Sequence, residues 1–173
     1  KGRGVSACAV CDGFFFKDKN VAVVGGGDTA MREAQYLSKI CKTVTVVHRR
    51  GKLRAQSALI ELVKSKPNVK FLLNTVIEEF LGQDKLTSVK IKNTQNNEIS
   101  QLEVDGVFIA IGHKPNTDFL KGQIDLDEKG YIKVVDETKT SVTGIFAAGD
   151  VSDFHYRQAV TAAGAGCKAT FDA

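Results

Sequence analysis

Val21-Ala22-Val23-Val24-Gly25-Gly26-Gly27-Asp28-Thr29-Ala30 runs from four apolar residues into three glycines and out into a helical pattern. A short apolar run bounded by Asn20 and a glycine reads as a buried strand. Beyond the glycines, Ala30, Ala34 and Leu37 recur at i, i+4 and i+7, the spacing of one helix face. Residues 44–47 (Val-Thr-Val-Val) form the next apolar run. Strand, helix and strand in that order predict two parallel strands with a right-handed crossover.

Outward from this unit, a second helix is expected over 55–64, ended by Pro67-Asn68, and a third strand over 69–73. Residues 76–81, 86–92 and 99–104 read as short strands joined by polar turns such as Gln95-Asn96-Asn97, an antiparallel meander. A buried strand over 107–111 stops at Gly112, and His113-Lys114-Pro115-Asn116 does not continue it, so a domain boundary is expected there. Past it come expected strands at 131–135 and 145–148 and a small-residue helix from about Arg157 to the end. The fold class is α/β: a Rossmann-like domain of parallel sheet plus antiparallel meander over 1–112, then a second portion over 113–173.

Bulk properties narrow the function classes. The net charge of +4 is mild, and the basic residues are dispersed apart from His48-Arg49-Arg50, so no nucleic-acid arm or polybasic membrane anchor is expected. No apolar run approaches the roughly 18 residues of a membrane span, which predicts a soluble, cytoplasmic protein. Four cysteines in 173 residues are too sparse for a secreted disulfide scaffold.

Gly25-x-Gly27-x-x-Ala30 lies between strand and helix, the setting that gives this motif meaning. The first glycine permits the tight turn, the second lets a pyrophosphate approach the backbone, and Ala30 allows close helix–strand packing. Asp28 and Thr29 open the helix, whose N-terminus offers N–H groups and a positive dipole end to an anion. Units that bind NAD carry a carboxylate some 20 residues past the loop. Here His48, Arg49 and Arg50 begin 23 residues after Gly25, with Arg54 close behind. Guanidinium groups suit a 2′-phosphate that a carboxylate would repel, so the expected cofactor is NADPH.

Cys8-Ala9-Val10-Cys11-Asp12 is the chemical centre. A C-x-x-C pair serves zinc or redox work. Zinc needs a second pair of ligands, and neither Cys41, Cys167 nor the scattered His48, His113 and His155 has that spacing, so no metal is expected. Disulfide chemistry is the better reading. The pair can carry two electrons as a disulfide/dithiol couple, and the sequence does not say which sulfur does what. Asp12 reads either as a proton shuttle or as an N-cap of the next turn. Cys41 and Cys167 read as small buried residues.

Taken in order, Gly2-Arg3-Gly4-Val5-Ser6 with Cys8 to Gly13, Gly25 to Ala30, His48-Arg49-Arg50 with Arg54, Ile111-Gly112-His113 with Pro115-Asn116-Thr117, Phe146-Ala147-Ala148-Gly149-Asp150-Val151 and Tyr156-Arg157-Gln158-Ala159 resemble the low-molecular-weight, bacterial-type thioredoxin reductases over nearly the whole sequence. The resemblance implies an NADPH domain carrying the redox disulfide up to Gly112, then the C-terminal part of an FAD domain. It implies cofactor contacts at Ile111, Gly112 and Gly149, Asp150 on the ribityl chain, and Arg157, Gln158 and Ala159, opening the last helix, beside the isoalloxazine. Catalytic roles fall to Cys8, Cys11 and Asp12. Electrons would pass from NADPH through FAD and the Cys8–Cys11 disulfide to thioredoxin, in a homodimer.

Two departures accompany the resemblance. Arg32 stands where a glutamate is usual, on the exposed side of the first helix. The family's earlier glycine-rich strand–turn–helix for the FAD pyrophosphate has no counterpart, since Gly164-Ala165-Gly166 follows no strand. The isolated chain is therefore expected to bind NADPH, to be colourless and to be inactive. The competing readings are a peroxiredoxin-linked flavoprotein disulfide reductase, which prefers NADH and lacks the His-Arg-Arg cluster, a ferredoxin–NADP reductase of similar fold, which lacks the cysteine pair, and a truncated, non-catalytic NADPH-binding module.

Overall fold

In the computed structural model, which describes residues 2–173, five parallel strands form one sheet. They are β1 (Val5–Ser6), β2 (Asn20–Val24), β3 (Thr43–Val47), β4 (Val69–Leu72) and β8 (Gly106–Ile109), in the spatial order β1-β8-β2-β3-β4. Between β4 and β8 the chain makes the antiparallel meander β5 (Thr75–Leu81), β6 (Ser88–Asn93) and β7 (Ile99–Glu103). The helices are α1 (Ala9–Asp12), α2 (Asp28–Leu37), α3 (Ser57–Lys64) and α4 (Ala159–Asp172). The α/β class read from the sequence, parallel sheet plus meander, is the one that forms.

The unbroken apolar run of β2 follows from burial on both faces. Val21 and Val23 pack with Ala30, Met31, Ala34 and Leu37 of α2 and with Val63 of α3 on one side of the sheet. Ala22 and Val24 pack on the other side with Val89 and Ile91 of the meander. The three alanine and leucine positions that predicted α2 are all fully buried. Asp28 ties the two helical segments together, its carboxylate accepting the Gln56 N–H at 2.8 Å just before α3.

Contacts divide the chain into two units, the first ending at Gly112 and the second covering His113–Ala173. The second has its own small core of Ile124, Ile132 and Ala147. Among the described residues no helix is long and apolar enough to cross a membrane.

Several sequence expectations need correction. Residues 131–135 and 145–148 form no strands; they make only isolated bridges, Leu126 with Ile132, Val135 with Lys139, and Lys139 with Phe146. Asp136 and Glu137 adopt positive φ (47° and 73°), so the backbone folds back on itself before a ladder can grow. The last helix begins at Ala159, with Gln158 as its N-cap, and Arg157 lies outside it at φ 50°. The second helix begins at Ser57, which leaves Arg54 in the loop before it. Cys167 is exposed, because α4 buries none of its residues completely. One strand escaped the sequence reading: β1, whose two residues pair with Val107 and Phe108 and extend the sheet beyond β8.

Candidate functional site

Two chemical centres lie in the first unit. The first is a cleft of about 430 Å³ at the C-terminal ends of the parallel strands, where ligands of open α/β sheets bind. Gly25 and Gly26 form one wall. A Cβ on Gly25 would sit 2.3 Å from the Ala110 carbonyl oxygen and 2.8 Å from the Ala30 Cβ, and its φ is 154°. Only glycine lets β2 leave the sheet this close to β8 and turn into α2. Gly27 is the N-cap of α2 with no side-chain cap, and nothing lies within 4 Å of where its Cβ would be. The first-turn N–H groups of α2 thus lack a capping side chain from Gly27, and an uncapped helix N-terminus is the kind of end that receives an anion.

The basic cluster divides by role. His48 is buried, and a Cβ on Gly26 would meet its ring at 2.4 Å, so the imidazole backs the glycine turn. Its ring nitrogen Nε2 lies 3.2 Å from the Lys52 carbonyl oxygen. Burial holds the His48 pKa below 6.5, and the nearby charges of Arg54, Arg50 and Arg49 push the same way. Three guanidiniums thus lie close enough to act on the imidazole that backs the glycines. Arg49 and Arg54 line the cleft; Arg50 does not. Among the described residues no carboxylate lies within ion-pair distance of any of them. The Arg54 and Ala55 N–H groups donate to the Gly26 carbonyl at 2.7 and 3.1 Å, pinning this loop to the glycine turn.

The opposite wall joins Ile111, which the resemblance had pointed to, with Thr75, Val76, Ile77 and Phe80 of β5 and Ile109, which sequence reasoning missed. Ile77 and Phe80 are three apart and would face opposite sides of a regular strand. A register shift between Ile77 and Glu79 brings both to the cleft. No local pattern announces such a bulge.

The second centre is the disulfide between Cys8 and Cys11. Cys8 follows the edge strand β1 and is the N-cap of α1. The Cys11 N–H donates to Cys8 Sγ at 3.2 Å. Buried Ser6 receives the Cys8 N–H at 3.1 Å and donates its hydroxyl to Asp12 Oδ2 at 2.6 Å. Asp12 precedes a 3-10 turn but makes no side-chain cap there, so its carboxylate serves Ser6 and the redox turn. Cys8 is half-buried and Cys11 exposed. Around them Val10, Phe14 and Phe15 stand in solvent, 69 to 79% exposed. The sequence signal was Phe14-Phe15-Phe16, of which only Phe16 turns inward, edge-on to Phe108 at 5.3 Å. Cys41 is a different kind of cysteine. Burial, with Asp18 nearby, raises its thiol to about 11, so it stays protonated and inert.

In the second unit, Asp150 and Arg157 share a hollow of about 230 Å³ with His113, Lys114, Pro115, Asn116, Tyr131 and Val151. Arg157 Nη1 lies 2.8 Å from His113 Nδ1. The Asp153 carboxylate collects the N–H groups of His155, Tyr156 and Arg157 at 2.8 to 3.2 Å, which shapes the turn that aims Arg157. Gln158 and Thr161 cap α4 reciprocally, and Ala162 packs beneath Gly149. Gly112 has φ 98° at the end of the first unit.

Comparison with known proteins agrees with this geometry. The sequence is 54% identical over 173 residues to a thioredoxin reductase of Streptomyces coelicolor, covering 99% of the chain and 54% of that protein. It is 55% identical over 174 residues to the thioredoxin reductase of Chlamydia pneumoniae, covering 99% and 56%. The fold matches the crystal structure of thioredoxin reductase from Streptococcus pyogenes with a TM-score of 0.91 and 44% identity, covering 98% of this chain and 56% of that one. Thioredoxin reductase from Giardia duodenalis matches with a TM-score of 0.87 and 46% identity, over 98% and 56%. The chain thus spans little more than half the length of these relatives. Residues 1–166 match the family model described as pyridine nucleotide-disulphide oxidoreductase. The chain belongs to the pyridine nucleotide-disulphide oxidoreductase family.

Proposed function

We propose that this chain carries the dinucleotide site and the redox disulfide of a thioredoxin reductase, which passes electrons from NADPH by way of FAD to Cys8–Cys11 and on to thioredoxin. The observation that carries the reading is the pairing of a formed C-x-x-C disulfide with a phosphate-binding glycine turn in one unit. In this reading residues 1–112 are the NADPH domain, and residues 113–173 are the C-terminal part of the FAD domain.

The residues fit NADPH. The open N-terminus of α2 at Gly27, Asp28 and Thr29 takes the pyrophosphate, with Gly25 and Ala30 permitting the approach. Arg49 and Arg54 clasp the 2′-phosphate, Arg50 adds charge from outside the cleft, and His48 supports the turn from beneath. The apolar wall of Ile77, Phe80 and Ile111 excludes water from the remainder. For FAD, Asp150 and Arg157 present an acceptor and a cation in one hollow, with Gln158 and Ala159 at the start of α4 and Gly149 allowing close packing beside them. FAD held by these residues would supply the two-electron chemistry that links the nicotinamide to the disulfide. Ile111 and Gly112 lie where the two units join in sequence.

At the disulfide, the dithiol delivers two electrons and two protons to the partner's disulfide by thiolate attack and exchange. Asp12, held by Ser6, is placed to hand over a proton. Exposed Val10, Phe14 and Phe15 offer apolar area for docking a partner protein. A homodimer in the cytoplasm belongs to the same reading. An NADH-linked peroxiredoxin partner is disfavoured by Arg49, Arg50 and Arg54 near the glycine turn, which form no ion pair among the described residues.

The test uses the chain itself. Reduced with dithiothreitol, desalted and mixed with oxidised bacterial thioredoxin, it should reduce that thioredoxin while reforming Cys8–Cys11 stoichiometrically. Cys41→Ser should behave like the wild type, and Cys8→Ser and Cys11→Ser should transfer nothing. Transfer that survives loss of Cys8 and fails on loss of Cys41 overturns the proposal.

A further inference from the structure

The loop that carries the arginines is held from outside the strand–helix–strand unit that bears the glycine turn. His48, Arg49 and Arg50 follow the end of β3, and their three carbonyls face donors from the meander and the turn that enters it. The Thr75 N–H donates to the His48 carbonyl at 2.9 Å, and the Asn74 N–H to that of Arg50 at 3.2 Å. Between them, the Thr94 hydroxyl lies 3.3 Å from the Arg49 carbonyl oxygen, across 45 residues of sequence. Thr94 stands in the turn after β6, where its own N–H donates to the Asn74 carbonyl at 2.7 Å. Its hydroxyl is also 3.1 Å from that oxygen, so one proton is shared between the Asn74 and Arg49 carbonyls. Asn74 joins β4 to β5 at φ 52°, a conformation that asparagine tolerates better than most residues. A Cβ on Gly51 would come 3.2 Å from Asn74 Oδ1, so the asparagine side chain lies against the basic loop as well.

We infer that Thr94 is a specificity-determining positioning residue for NADPH: with Asn74 it fixes the Arg49 and Arg50 peptides, so that Arg49 is turned to the cleft before a 2′-phosphate arrives. This rests on the NADPH reading of the cleft given above.

A guanidinium on a loose loop must be ordered as the ligand binds, and that ordering subtracts from affinity; a loop held in advance avoids the loss. Arg49 and Arg50 have exposed side chains that form no ion pair among the described residues. What the fold holds is their backbone, and with it the difference that Arg49 lines the cleft while Arg50 does not. The far end of the loop is anchored separately, by the Arg54 and Ala55 N–H groups on the Gly26 carbonyl. Thr94 acts at the near end, on the Arg49 peptide. NADH presents a hydroxyl where NADPH carries the phosphate, so it gains little from Arg49. Loosening the Arg49 peptide therefore weakens NADPH selectively. The meander does more than cover one face of the sheet: its β6–β7 turn sets how strongly the cleft prefers the phosphorylated dinucleotide.

Isothermal titration of NADPH and NADH into the 173-residue chain compares wild type with Thr94→Val, Thr94→Ser and Thr87→Val. Thr94→Val keeps the side-chain shape and the N–H bond to Asn74 but deletes the hydroxyl. It should weaken NADPH about fivefold, the usual weight of one hydrogen bond. NADH should stay within about twofold of wild type, as for an ordinary exposed substitution. Thr94→Ser keeps a hydroxyl and should bind NADPH like the wild type. Thr87→Val removes a comparable hydroxyl at the opposite end of β6, 3.3 Å from the Leu81 carbonyl oxygen, and should change neither affinity. On an Arg49→Ala background Thr94→Val should add no further loss of NADPH affinity, because it acts through Arg49; a general weakening of the fold would add in full. Circular dichroism checks folding, and if Thr94→Val fails to fold, Thr94→Ala takes its place. Equal losses for the two nucleotides, a full added loss on the Arg49→Ala background, or NADPH affinity within about twofold of wild type in Thr94→Val overturns the proposal. A wild-type chain that binds NADH as tightly as NADPH overturns the NADPH reading itself, and this inference with it.

Discussion

Replacing Arg49 and Arg54 together by alanine isolates the contacts that select the phosphorylated dinucleotide. Both line the cleft beside the glycine turn, and both are exposed before ligand arrives. A charge-assisted hydrogen bond contributes about 1.5–3 kcal/mol. Solvent screening of exposed guanidiniums lowers that to roughly 1–2 kcal/mol each. The pair then contributes about 2–4 kcal/mol to a 2′-phosphate, or roughly 30- to 1000-fold in affinity at 1.4 kcal/mol per decade. NADH lacks that phosphate, so its affinity should change by no more than about threefold, within the usual effect of an exposed substitution. Isothermal titration of NADPH and NADH into wild type, the double variant and Arg50→Ala provides the comparison. Arg50 lies outside the cleft, so its variant should lose less NADPH affinity than Arg49→Ala. Equal losses for the two nucleotides would refute the reasoning, as would an Arg50 variant as weak as the double one.

Other consequences can be measured separately. Gly25→Ala drives a Cβ into the Ala110 carbonyl oxygen, so urea unfolding should show a loss of about 2–5 kcal/mol from strain and overpacking; a loss under about 1 kcal/mol with NADPH binding intact would contradict the close approach. His48, held below 6.5 by burial and its arginine neighbours, should be neutral at pH 7. Because the unfolded chain takes up that proton first, His48's contribution to stability is present above pH 6.5 and is lost as pH falls from there through its lower folded pKa. An imidazole titration by NMR at or above pH 6.5 would contradict this. Burial pushes the Asp153 carboxyl up, yet three backbone N–H groups hold it below its usual 3.8. Its turn should therefore loosen only as pH falls below 3.8 through that depressed value. Asp153→Ala should abolish hydrogen-exchange protection at His155, Tyr156 and Arg157 at neutral pH, and unchanged protection would show that the carboxylate does not hold the turn.

The sequence by itself determined those parts of the protein whose reason is local. An apolar run, three glycines and a helix with alanines on one face admit one arrangement, because each needs its neighbour to bury the side it exposes. The C-x-x-C spacing likewise brings Cys8 and Cys11 within reach through a single turn of backbone. Strands at 131–135 and 145–148 were illegible for the opposite reason. A strand exists only with a partner, and positive φ at Asp136 and Glu137 turns the chain away before one is met. The two-residue β1 has too short a pattern to read and is stabilised by the edge of β8, 102 residues later. Tertiary structure alone decided that Arg49 and Arg54 face the cleft while Arg50 does not, that His48 goes under Gly26, and that a bulge in β5 supplies the far wall. Side-chain identity states what chemistry is available at a position. Direction and burial depend on atoms contributed by distant segments, and no local pattern contains them.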